Sequence, residues 1–103
     1  MDKIIYHVTT KEEWQTAIEQ NFYEAASLAS EGFIHCSTEP QVNGVLLRYF
    51  KGKTNLVKLT IATSELTSKL QYDFSPSVGE SFPHVYGSIN IDAIINVEAV
   101  NIN

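Results

Sequence analysis

Residues 3–8, KIIYHV, alternate with period two. Ile4, Tyr6 and Val8 point one way, and Lys3, Ile5 and His7 the other, which predicts a strand. The period then lengthens. Trp14, Ala17, Ile18 and Phe22 recur at helical spacing, and Thr10 with Glu13 three residues on forms a capping-box pattern, so the spacing predicts a helix over 11–21. YEAASLASEG (23–32) fits an edge strand or a short helix, and Gly32 ends it. FIHCS (33–37) reads as a strand with Phe33, His35 and Ser37 on one face and Ile34 and Cys36 on the other. Thr38 caps a second helix with Pro40 in its first turn and a stripe of Val42, Val45, Leu46, Tyr49 and Phe50.

KGKTN then marks a turn, LVKLTIA (56–62) alternates as a strand, TSEL reads as a single capped turn, and KLQYDF (69–74) as a further strand. SPSVGESFPHVYGSI, with two prolines and two glycines, reads as a long loop, and IINVEAVNI (94–102) as a closing strand. Helices come early and strands late, which predicts an α+β fold with a largely antiparallel sheet. No repeat, linker or low-complexity tract interrupts the pattern, so residues 1–103 are expected to form a single domain.

Composition narrows the class. A hydrophobic fraction of 44% supports a folded core. One cysteine, Cys36, can form neither an internal disulfide nor a cysteine-based zinc site, and a reducing cytoplasm is the expected location. The start of the chain lacks the apolar core of a signal peptide, and no apolar run approaches the roughly 20 residues of a membrane span. Seven Lys and Arg against 12 Asp and Glu give a net charge of −5, which argues against duplex nucleic acid as a partner. The one basic cluster, RYFKGK (48–53), sits where a helix would end and the helix dipole favours it.

The candidate chemistry lies in three histidines, in YHVTT, FIHCST and FPHVYG. His7 and His35 are both mid-strand, each expected opposite the core face; if their two strands are neighbours, both line one cleft, with Ser37 two residues from His35 on its face and Thr9 likewise beside His7. The alternative for each histidine is a half-buried ring bonded to backbone. A zinc site built from the three ranks lower. No pair has the i, i+4 spacing of helical ligands, and only Glu80 stands beside any of them in sequence. Ser37 cannot be activated by His35, because side-chain ends two residues apart on a strand are about 6–7 Å apart. His7 or His84 can reach it from another strand. Cys36, on the opposite face, reads as a small core hydrophobe. Pro83 stiffens the loop around His84 and Gly87 permits a tight bend, so the loop is expected to be either a wall over a ligand or ordinary packing with Phe82 and Tyr86 inside.

IYHVTT, EGFIHCSTEPQV and FPHVYG, in that order and spacing, resemble the successive signatures of the bacterial domain-of-unknown-function family 952, over nearly the whole chain. That family in turn distantly resembles the ADP-ribosyltransferase superfamily, in particular its two-histidine clade with the tRNA 2′-phosphotransferases. The resemblance implies a split antiparallel β-sheet with two main helices, an NAD cleft, and catalytic roles for His7 and His35. It further places Ser37 and Thr38 in the hydroxyl-rich region that follows and a third motif position at Asn96 or Glu80; beside them Tyr6, Phe33 or Tyr86 are expected to stack a nicotinamide, and Thr9 and His84 are further expected ligand contacts. The implied enzyme is an NAD-dependent ADP-ribosyl transferase or glycohydrolase acting on a small molecule or nucleotide. A single arginine, Arg48, is too few for an RNA phosphate grip. The competing readings are a non-catalytic nucleotide or small-ligand module, and an interaction protein with structural histidines.

Overall fold

A computed structural model describes residues 2–100. In chain order the elements are β1 (Ile4–Thr10), α1 (Lys11–Gln20), β2 (Phe22–Tyr23), α2 (Ala26–Glu31), β3 (Ile34–His35), α3 (Val42–Tyr49), β4 (Leu56–Ala62), β5 (Lys69–Ser75), β6 (Glu80–Tyr86), β7 (Ile89–Asn90) and β8 (Ile94–Val100). Single 3-10 turns precede α3 and β8 and follow β4. All strand pairs are antiparallel, in sheets ordered β1-β4-β8, β3-β6-β5 and β2-β7. The fold is α+β. Residues 101 and 102 of the expected last strand lie outside the described residues.

The first strand is the seam of the molecule. Its odd residues bond to β4, as the flanking bonds Thr63 N–H to Lys3 O and Lys11 N–H to Asn55 O show. Antiparallel alternation therefore turns the N–H and C=O of Tyr6 and Val8 toward β3. Tyr6 uses both of its groups, exchanging 2.8 Å bonds with Ser37. This single bridge joins the two three-stranded sheets.

The main core lies under both sheets, from Ile5, Ile34, Leu59, Ile61, Val85 and Ile89, with Trp14 and Ala17 of α1 packed on it. A second cluster of Val8, Val42, Leu46 and Leu56 fixes α3 to the other face of β1. Helix α1 starts as the sequence predicts, Glu13 N–H donating to Thr10 Oγ1 at 3.1 Å. The carboxylate of Glu13 departs from the capping box: it accepts the Thr9 hydroxyl at 2.6 Å. Asn21, in the left-handed region at φ 71°, ends the helix. Ile18 is half-exposed, so the buried stripe is narrower than the spacing predicts.

Residues 22–31 supply both alternatives, a two-residue strand and then a short helix closed by Gly32 at φ 92°. The expected long loop is the main correction. Residues 80–86 are the central strand of β3-β6-β5, despite Pro83. Cys36 N–H donates to Pro83 O at 2.9 Å, so Pro83 faces β3 rather than β5. Its missing N–H falls where β3 has already ended, and no β5–β6 ladder bond is lost.

Candidate functional site

The two sheets part just beyond the Tyr6–Ser37 bridge, and His7 fills the gap. The next narrow pair of a regular ladder would give the His35 carbonyl to Val8 N–H. Here His7 Nδ1 takes that carbonyl at 2.5 Å. A carbonyl only accepts, so Nδ1 carries the proton, and Nε2 accepts from the Tyr23 hydroxyl at 2.7 Å. Both nitrogens of His7 are committed to the fold. Burial pushes its pKa down to about 4, against the pull of the His35 carbonyl, and the ring is neutral. Burial also pushes the Tyr23 phenol up, so it stays a donor.

The other two histidines are cross-strand partners. His35 on β3 lies opposite His84 on β6, and Gln71 on β5 lies opposite His84 on its other side. These three share the sheet face that carries Phe33, Tyr86 and Lys69 in the row to one side and Ser37, Phe82 and Asp73 in the row to the other. Phe33 stacks on His84, with centroids 4.1 Å apart and planes at 15°, and the His35 ring meets His84 edge-on at 5.0 Å. His35 is exposed, its Nε2 3.2 Å from Glu31 Oε2. His84 is buried, its Nδ1 2.7 Å from Asp73 Oδ2. Gln71 Nε2 also donates to Asp73, at 2.6 Å, as does the Tyr86 hydroxyl. These donors, Gln71 foremost, then Tyr86 and His84, hold the Asp73 carboxyl down at about 2.

Sequence reasoning missed these carboxylates. It found only Glu80 beside a histidine, whereas the fold brings Asp73 to His84 and Glu31 to His35. The Glu31–His35 pair has i, i+4 spacing, but the chain passes from helix to strand within it. The Asp73–His84 pair follows from the register set by the turn at 76–79, which reading the segment as a loop conceals.

A cavity of about 580 Å³ lies over the split, within the usual range for small-molecule sites. His7, His35, Ser37 and His84 contribute to its wall, with Tyr49, Phe50, Phe74 and Phe82 as its aromatic part and Glu31 as its one charged residue. Among the described residues every fully buried side-chain nitrogen and oxygen has a partner. Within those residues His84 Nε2 and the Ser37 hydroxyl have none and are therefore not fully buried, and both side chains line the cavity.

The other residues expected at the site stand elsewhere. The Tyr6 ring lies against Lys58 and the second core cluster, Thr9 is buried on Glu13, and Thr38 N–H is capped by Gln41 Oε1 at 2.9 Å. Phe33 and Tyr86 border the site through His84 and Asp73. Glu80 accepts from Gln41 at 3.1 Å, tying the turn before α3 to β6. Asn96 lies on β8, separated from β1 by β4. The Cys36 thiol, pushed up to about 12 by burial, is unreactive. Among the described residues no three His, Cys, Asp or Glu side chains converge as a metal site, and no helix is long and apolar enough to cross a membrane.

The family profile described as "Protein of unknown function (DUF952)" matches residues 8–97. The crystal structure of protein CC0527 from Caulobacter crescentus is similar, with a TM-score of 0.88 at 28% identity over 97% of this chain and 88% of that one. The solution structure of CC0527 gives 0.83 at 27% identity over 99% and 88%. No curated protein matches the chain.

Proposed function

The chain belongs to the DUF952 family of proteins of unknown function, and on that premise we propose that the split between its sheets binds NAD by its cationic nicotinamide head. The composition of the cavity wall carries this reading. Four aromatic side chains, Tyr49, Phe50, Phe74 and Phe82, surround a space whose only carboxylate among the described residues is that of Glu31, with no Lys or Arg. Such a wall attracts a flat cation, at roughly 0.5–2 kcal/mol for each well-placed aromatic face. The diphosphate has no Lys or Arg to meet on this wall and is left to water at the mouth. His35 and Ser37 are the polar groups of β3 and its extension available to ribose hydroxyls.

When bound, NAD supplies a bond between ribose and a leaving group that departs neutral, so little proton donation is required. The work left to the chain is to hold the head and keep water ordered around it. His7 positions the wall and does not act chemically. Because His7 is fully occupied by Tyr23 and the His35 carbonyl, a second reading, binding without turnover, also has an observation behind it.

Titration calorimetry tests the proposal with NAD, NADH, nicotinamide mononucleotide and ADP-ribose. NAD and the mononucleotide should bind about 3–30-fold more tightly than NADH, whose ring is uncharged. ADP-ribose, lacking the head, should bind weakly. Equal affinity for NAD, NADH and ADP-ribose would refute the reading. Nicotinamide release followed by chromatography separates turnover from binding alone.

A further inference from the structure

We propose that His84 is a general base facing the cavity and that Asp73 is its positioning residue. The warrant is the geometry of β5 and β6. Asp73 is ionised and only accepts, so His84 Nδ1 must carry a proton to meet it at 2.7 Å. The neutral imidazole then has its lone pair on Nε2, the nitrogen without a partner among the described residues, and the wall of the cavity includes this ring. Phe33 stacked on the ring face fixes the plane, and Gln71 and the Tyr86 hydroxyl fix the carboxylate from either side. The titratable groups that face His84 are Asp73 from β5, His35 from β3 and, through His35, Glu31 from α2. A base held by an orienting carboxylate and aimed into a pocket is an arrangement suited to proton abstraction.

The step rests on the NAD reading given above. The oxygen of an acceptor, water or an alcohol, forms a bond to ribose C1 as the C1–nitrogen bond breaks. The electron pair of that bond leaves with nicotinamide, which becomes neutral, and the acceptor proton passes to His84 Nε2. Charge and atoms balance without an oxidant or a metal.

The tautomer is the direct test. Two-bond 15N–1H correlation spectra of the protein at neutral pH should show His84 protonated on Nδ1. Asp73→Ala should move the population toward the Nε2-protonated form that free imidazole prefers, and Asp73→Asn, whose oxygen is taken by Gln71 so that its NH2 donates to Nδ1, should move it the same way. Diethyl pyrocarbonate with mass mapping should modify His84 in the native protein, more slowly in Asp73→Ala, and more slowly when NAD is bound. His84→Gln should lower nicotinamide release at least ~100-fold. A wild-type ring protonated on Nε2, or a tautomer indifferent to Asp73→Ala, would overturn the assignment. If the tautomer and reagent results hold but NAD gives no protection, the base stands and the NAD reading falls.

Discussion

Acid should destabilise this protein through His7 before it does so through carboxylates. The unfolded chain takes up a proton at His7 near pH 6.5, whereas the folded ring resists it down to about 4. Folded His7 binds its proton less readily, so its contribution to stability is fully present above pH 6.5 and declines as pH falls toward 4. The interval of 6.5 minus about 4 is some 2.5 units, which at 1.36 kcal/mol per unit is about 3 kcal/mol. That is a large share of the roughly 5–15 kcal/mol typical of a domain. The physical source is specific: a protonated ring would have to aim an Nε2–H at the Tyr23 oxygen, which is the donor in that bond, across a buried contact. Urea unfolding followed by the fluorescence of Trp14, which packs on the main core, gives stability at half-unit intervals from pH 4 to 7.5. His7→Gln is the control. The gap between wild type and variant should be widest at pH 7 and close by about 3 kcal/mol at pH 4. Carboxylates shared by both proteins cancel in the difference. Two curves that run parallel from pH 7 to pH 4 would refute the account of His7 as a neutral ring locked between two partners.

Two further outcomes follow from single contacts. Tyr23→Phe removes the donor to His7 Nε2 and should cost about 1–3 kcal/mol in the same urea assay at pH 7, a buried acceptor being left unmatched. Gly87→Ala would drive a Cβ into Ser68 Oγ and set it 2.9 Å from Ser68 Cβ, and that hydroxyl is held by the Ser88 carbonyl at 2.6 Å. The variant should lose about 1–3 kcal/mol by thermal melting, and Ser68→Gly in the same chain should recover most of the loss.

Much of the fold could be read from the residues because local and global preferences agree there. In β4 the buried positions Leu59 and Ile61 fall on the expected period, and in α1 the Thr10 cap coincides with the end of a strand; β1 keeps its period, but the face in the main core is that of Ile5 and His7, not that of Ile4 and Tyr6. The β3 segment was legible for the same reason: Ile34 is fully buried and His35 exposed, as alternation requires. Reading failed at β6, where Pro83 and the flanking SPSVG suggest a loop. The proline is tolerated only because its N–H would point past the end of β3, a tertiary fact absent from any local window. The same failure hid Asp73. Once β5 and β6 are known to be a hairpin, Asp73 and His84 stand on one face in neighbouring rows. The role of His7 escaped for a different reason. A histidine on the buried face of a strand gives no sign that its side chain will stand in for a backbone donor.

The replacement of a ladder bond by an imidazole has a mechanical corollary. Two backbone bonds at Tyr6 and Ser37 and the ring of His7 clasp one β-surface to the other, and beyond them the halves diverge. The gape of the chamber is thus governed by the reach of one side chain instead of by strand spacing, which is nearly invariant among proteins. A shorter or longer residue at this clasp would resize the opening while leaving both surfaces intact. Relatives that differ at position 7 are therefore where differently shaped cargo is to be sought.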